Sequence, residues 1–149
     1  MNMKDVSRNQ VMQVCGFKIG GGFYAVPVLE VQEVVKPQIL SRVPRSPDYI
    51  DGLINLRGQV VTSLNLRKLF GIEGEPPEEF MNVIVRSEDS LYSLVVDEIL
   101  DVIEVPISSF EDTPDTLNAK VKKYISGVYK LKGKLLVLVC LEKLLNIEE

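Results

Sequence analysis

Residues 12–19 alternate apolar and polar side chains, Gly20-Gly21-Gly22 interrupts them, and residues 23–28 return. A period of two sends successive side chains to opposite faces, so the spacing predicts a β-hairpin turning at the glycines. Residues 29–35 (LEVQEVV) fit either a helical turn or the start of another strand. Residues 39–43 read as a short strand closed by Pro44 and Pro47. Residues 49–56 and 59–66 flank Arg57-Gly58, a tight-hairpin signal. Leu66, Leu69 and Phe70 then fall at i, i+3 and i+4, which predicts one short helix plugging the end of a barrel. Leu141, Leu144 and Leu145 repeat that spacing. Thr113-Pro114-Asp115 reads as a cap and first helical turn, followed by Leu117, Val121 and Tyr124 on one face.

The second occurrence of the leucine pattern belongs to an internal repeat, the kind of regularity that decides a fold. YIDGLINLRGQVVTSLNLRKLFGIE from Tyr49 aligns without a gap with YISGVYKLKGKLLVLVCLEKLLNIE from Tyr124, an offset of 75 residues. Ten of the 25 pairs are identical, among them Gly52/Gly127, Leu56/Leu131, Gly58/Gly133 and Ile72/Ile147. YAVPVLEVQEVV from Tyr24 matches YSLVVDEILDVI from Tyr92 at an offset of 68, so the second copy carries seven extra residues within 104–123, where the helix just noted falls. One copy covers about 12–73 and the other about 82–148, with the turn-rich linker GIEGEPPEEF between them and a flexible tail over residues 1–10.

Five short strands in about 60 residues suit a small barrel, because closure removes exposed sheet edges. A barrel of that size is marginal alone, so the two should bury surface against each other. Gln59, Ser63 and Asn65 share one face of the alternating segment 59–66, whereas its counterpart 134–141 is continuously apolar after the lysine. A strand apolar on both faces is covered on both sides, which puts 134–141 near the junction of the barrels.

Composition narrows the chemistry. Of 149 residues, 46% are apolar and 26% charged, enough to fill a core. Seventeen basic against 21 acidic residues give a net charge of −4, which argues against a phosphate-backbone ligand and hence against an oligonucleotide-binding barrel, as does the lack of Trp. There is no histidine, which removes Ser-His-Asp and Cys-His triads and nearly all familiar zinc sites. Gly20-Gly21-Gly22 lacks the Lys-Ser/Thr of a phosphate loop. Glu30/Glu33 and Asp97/Glu98/Asp101/Glu104 are spaced like the solvated side of amphipathic segments. Ser41, Ser46, Ser63 and Ser93 have no nucleophile-elbow context. Cys15 and Cys140 sit in apolar strand patterns, where free thiols behave as small hydrophobes. Neither an export signal nor a membrane span is evident, so the expected compartment is the cytosol. No enzyme, cofactor or metal is expected; a duplicated barrel without a reaction centre works by contact, through two binding faces and the groove between them.

The segments YAVPVLEVQEVV, GLINLRGQVVTSLNLRKLFG and YISGVYKLKGKLLVLVCLEKLL, in this order, resemble the bacterial CheW family of chemotaxis coupling proteins over nearly the whole chain. The resemblance implies a mainly β fold of two pseudosymmetric five-stranded SH3-like barrels with short helices and a hydrophobic core between them, with swapped terminal strands an option. It implies a non-catalytic adaptor that couples chemoreceptor signalling tips to the histidine kinase CheA and is recruited to membrane-associated receptor arrays, or a scaffold of a pilus or developmental chemosensory pathway. The receptor's helical hairpin tip would dock beside the groove, and the kinase's regulatory domain would pair with the barrels through positions the resemblance does not assign. By position, the receptor-facing residues are Val31, Glu33, Gly52 and Arg57. Thr62 stands where many members carry proline, and Asn65 where aspartate is common.

Overall fold

The structure is a computed structural model and describes residues Gln10–Asn146. The expected tail, apart from Gln10, and Ile147 of the repeat lie outside the described residues. The first hairpin forms as its alternation requires, β1 (Val11–Ile19) and β2 (Gly22–Pro27), and Gly20 supplies the positive φ of the turn. The ambiguous segment becomes both readings in turn: a 3-10 turn at Val28–Glu30, then β3 (Val31–Val35). The second hairpin is β4 (Ile50–Leu56) and β5 (Gln59–Leu64), followed by α1 (Leu66–Phe70). Asn65 caps α1 by accepting from the Lys68 amide, and Gly71 ends it in the left-handed conformation. The second copy supplies β6 (Met81–Ser87), β7 (Ser90–Val96), β8 (Glu98–Pro106), the two-residue β9 (Phe110–Glu111), α2 (Ala119–Lys122), β10 (Ile125–Leu131), β11 (Lys134–Val139) and α3 (Leu141–Leu145).

The strands form two SH3-like barrels, and neither coincides with a sequence copy. One sheet runs β8-β1-β2-β11-β10-β9 and the other β3-β6-β7-β5-β4. Each copy therefore lends its first hairpin to the barrel built by the last strands of the other. The exchange is sealed by two parallel pairings, Phe23-Tyr24-Ala25 beside Leu136-Val137-Leu138 and Leu91 to Leu94 beside Val61 to Leu64. Register and repeat agree: Ala25 faces Leu138 where Ser93 faces Ser63, matching both offsets.

Three apolar clusters follow. Val14, Ala25, Val105, Tyr129, Leu136 and Leu138 fill the six-stranded barrel. Ile54, Leu56, Val61, Ile84 and Leu91 fill one end of the five-stranded barrel. A larger cluster lies between the barrels and includes Phe17 and Val26 from one, Val83 and Leu94 from the other. As its continuous apolar run predicts, β11 sends Leu136 and Leu138 into its own barrel and Val137 and Val139 into the shared core. Rings stack through that core in the order Phe17, Tyr24, Phe70, Tyr124.

Three expectations are corrected. Residues 39–43 do not form a strand: Pro37 and Pro44 offer no amide, and pairing shrinks to a single bridge in which Ser41 and Leu53 exchange hydrogen bonds of 2.8 Å. The helix expected from Thr113 begins only at Ala119. Pro114 closes a lone turn with the Leu117 amide, while Asn118 accepts from the Lys120 amide and starts the helix. The short helices plug the joint between the barrels rather than a barrel end, because Leu66, Leu69, Phe70, Leu141 and Leu144 all join the shared core. A half-buried ion pair fastens this joint. The Arg67 guanidinium on α1 donates to Asp97 (2.6 Å) and to the carbonyl of Glu73 (2.9 Å), and the amide of Gly20 donates to the same Asp97 oxygen (2.8 Å). Cys15 and Cys140 are free thiols.

Candidate functional site

β3 and β4 are the two edges of the five-stranded sheet. At the tip of the β4–β5 hairpin Arg57 takes a left-handed φ of 52°, and the Asn55 side chain accepts from the Gly58 amide (2.9 Å) to hold the turn. The Arg57 guanidinium reaches across to the Glu33 carboxylate on β3, so one ion pair closes the seam of the barrel at its solvent edge. Both side chains keep solvent contact, 66% for Arg57 and 27% for Glu33, so the pair contributes at most about 1 kcal/mol to folding.

A bulge between Val31 and Glu33 shapes the rest of β3. Val31 pairs with Val85 and packs half-buried on the shared core. The bulge re-aims the strand, and Gln32 is exposed, accepting from the Arg86 Nε (3.2 Å) and Nη2 (2.8 Å). Val31, Glu33 and Arg57 thus share one end of the barrel. Gly52 does not join them. It lies five residues before Arg57, roughly 17 Å along an extended strand, and it is buried. Its φ is +146°, and an added Cβ would stand 2.7 Å from the Ser41 carbonyl oxygen. Glycine is what lets the 36–48 segment cross β4 here.

Beside Arg86 a cleft of about 450 Å³ separates the five-stranded barrel from α3, with Glu30, Tyr92, Leu141 and Leu145 among its walls. Through Tyr92 and Leu145 it continues into a more apolar cleft of about 280 Å³ walled by Tyr49, Ile50, Leu64 and Leu144. Leu29 (98% exposed) and Val60 (66%) add apolar surface on the same barrel. Burial pushes the Glu30 carboxyl up from its ordinary 4.5, and its Oε1 has no hydrogen-bond partner among the described residues. Arg86 has no sequence signal of its own, and Leu145 is marked in the sequence only as part of a helix face. Tyr92 repeats Tyr24, yet Tyr24 is buried in the shared core and Tyr92 lines the cleft.

Among the described residues no three His, Cys, Asp or Glu side chains gather as a metal site, and no helix is long and apolar enough to cross a membrane. The arrangement offers a polar edge, Gln32/Glu33/Arg57/Arg86, and Arg86 carries that edge to the larger cleft between the barrels.

Comparison with known proteins places the fold in a family. The model of the CheW-like domain matches residues 13–149. The chain is 31% identical to the chemotaxis protein CheW of Helicobacter pylori over 96% of its own length and 87% of the relative's. It is 34% identical to the chemotaxis protein CheW of Bacillus subtilis over 83% and 80%. The crystal structure of the scaffolding protein TtCheW from Thermoanaerobacter tengcongensis superposes with a TM-score of 0.83 at 26% identity, covering 93% of this chain and 95% of that one. With its two exchanged SH3-like barrels, the chain belongs to the CheW-like family.

Proposed function

We propose that the chain is a non-catalytic adaptor that couples the cytoplasmic signalling tips of chemoreceptors to the histidine kinase CheA and is recruited by them to membrane-associated arrays. The observation that carries this reading is the solvent-facing Glu33–Arg57 pair that closes the seam of the five-stranded barrel in a CheW-like chain. Rim charges orient a partner and raise its association rate, while apolar surface supplies buried area. Val31 fixes β3 on the shared core and so positions Glu33, and Gly52 acts through the backbone crossing it permits. The adaptor changes kinase activity without chemistry, by favouring one arrangement of receptor and kinase over another.

The test is reconstitution of this chain with a receptor signalling fragment and the kinase. A ternary complex should form and make kinase activity responsive to the receptor. Arg57→Glu places two carboxylates together at the seam and should weaken receptor-fragment binding by about tenfold, equivalent to about 1.4 kcal/mol. The thermal midpoint should change little, since the exposed pair adds little to folding. Unchanged receptor binding by the folded variant refutes the assignment of this rim.

A further inference from the structure

The two barrels are copies, so each serves as a control for the other. Val14, Ala25 and Leu138 close the interior of the six-stranded barrel. At the matching register positions the five-stranded barrel carries Asn82, Ser93 and Ser63. These three are 2%, 0% and 1% exposed, and they point inward with Ile84, Leu91 and Val61, their neighbours on the same strand faces. Asn82 Oδ1, Ser63 Oγ and Ser93 Oγ find no hydrogen-bond partner among the described residues. A buried polar atom left so is unfavourable by about 1–3 kcal/mol, and three in one barrel end call for a partner from outside.

Space for one exists. A cavity of about 220 Å³ reaches Ser63 and Asn82 on its floor, with Ile54 and Val95 beside them. Leu40 and Glu75, both exposed, frame its mouth, with Phe80 of the linker between the copies on its wall. The charged groups lining it, Asp51 and Glu75, are both acidic. Lys68 and Arg42 approach Asp51 from a neighbouring cleft and do not line this cavity. Asn82 already spends a side-chain N–H on the Lys36 carbonyl (3.4 Å), so what it offers inward is an acceptor. Each water in the liquid takes about 30 Å³, so the volume suits a compound of a few heavy atoms rather than a drug-sized one.

We infer that the polar end of the five-stranded barrel is a binding site for a small primary ammonium compound with a short apolar tail. The ammonium donates to Asn82 Oδ1 and the Ser63 hydroxyl under the field of Asp51 and Glu75, with Ser93 behind them, and the tail lies against Ile54, Val95 and Phe80. The site is separate from the Glu33–Arg57 rim.

The test is amide chemical-shift mapping of the intact chain titrated with isobutylammonium chloride, and in parallel with isobutanol and sodium isobutyrate at matched ionic strength. The ammonium alone should give saturable shifts at Ser63, Asn82, Ser93 and Val95. The triple variant Ser63→Leu, Asn82→Val, Ser93→Ala, which copies the other barrel, should abolish them. Should that variant fail to fold, Asp51→Asn keeps the cavity's shape and should weaken binding at least tenfold. Absence of saturation, an equal response to isobutanol or isobutyrate, or shifts that survive in both variants overturns the inference.

Discussion

Glu30 and Gly52 show how single residues are constrained by what crosses over them. Glu30 sits in a turn pressed into the inter-barrel cleft, with Arg86, Glu88 and Glu142 as the charged groups lining the same space. Burial raises its pKa above the ordinary 4.5. A carboxyl with a raised folded-state pKa contributes stability that is full below the unfolded pKa and is lost as pH rises through the folded one. Glu30→Gln should therefore raise the thermal midpoint at pH 7, and the gain should vanish near pH 4; a scan of midpoint against pH reads this directly. Gly52 carries the opposite burden. Gly52→Ala should destabilise the fold by about 1–3 kcal/mol in chemical denaturation, because the new methyl meets the backbone of Ser41 and not a movable side chain.

At the scale of elements, β5 and β11 are the same strand written twice. Leu138 is fully packed and Ser63 is its register counterpart. Leu138→Ser should remove about 3 kcal/mol of stability, measured by urea unfolding, since it leaves both a cavity and an unpaired hydroxyl in an apolar barrel. Alternation and glycine turns made the hairpins legible in the sequence, and the double-sided apolar run of 134–141 placed β11 between two cores. The same alternation left the direction of Ser63 open, because periodicity says which residues share a face and not which face is inward. The structure buries Ser63 and exposes Val60. The lone bridge at Ser41 and the late start of α2 turn on single hydrogen bonds, which residue spacing does not encode. Of the candidate site, Glu33 and Arg57 are named in the sequence only through family resemblance; their pairing across 24 residues, like the meeting of Tyr92 and Leu145, is the work of tertiary packing.

For the whole molecule, the exchange of hairpins decides what can exist alone. Cutting the linker at Gly74 separates the sequence copies and leaves each half with a hairpin belonging to the other's barrel. Neither fragment, 1–74 or 75–149, should show cooperative thermal unfolding by circular dichroism, and an equimolar mixture should recover one transition. A fragment that melts cooperatively as a monomer would contradict the exchanged topology. The Arg67–Asp97–Gly20 contact adds to this dependence, tying a helix of one copy to the bend between β7 and β8 of the other and to the opposite barrel's turn.

The pairing of β2 with β11 also sets a timetable for synthesis. Ala25 finds its neighbour Leu138 over a hundred residues later. Everything the five-stranded barrel needs, residues 31–96, leaves the ribosome well before that. The inner barrel can thus mature while translation continues, and the first hairpin, made earliest, waits with an open edge until the last strand arrives. Pausing the ribosome just short of residue 134 should leave a nascent chain with one finished barrel and one unseated amino-terminal hairpin.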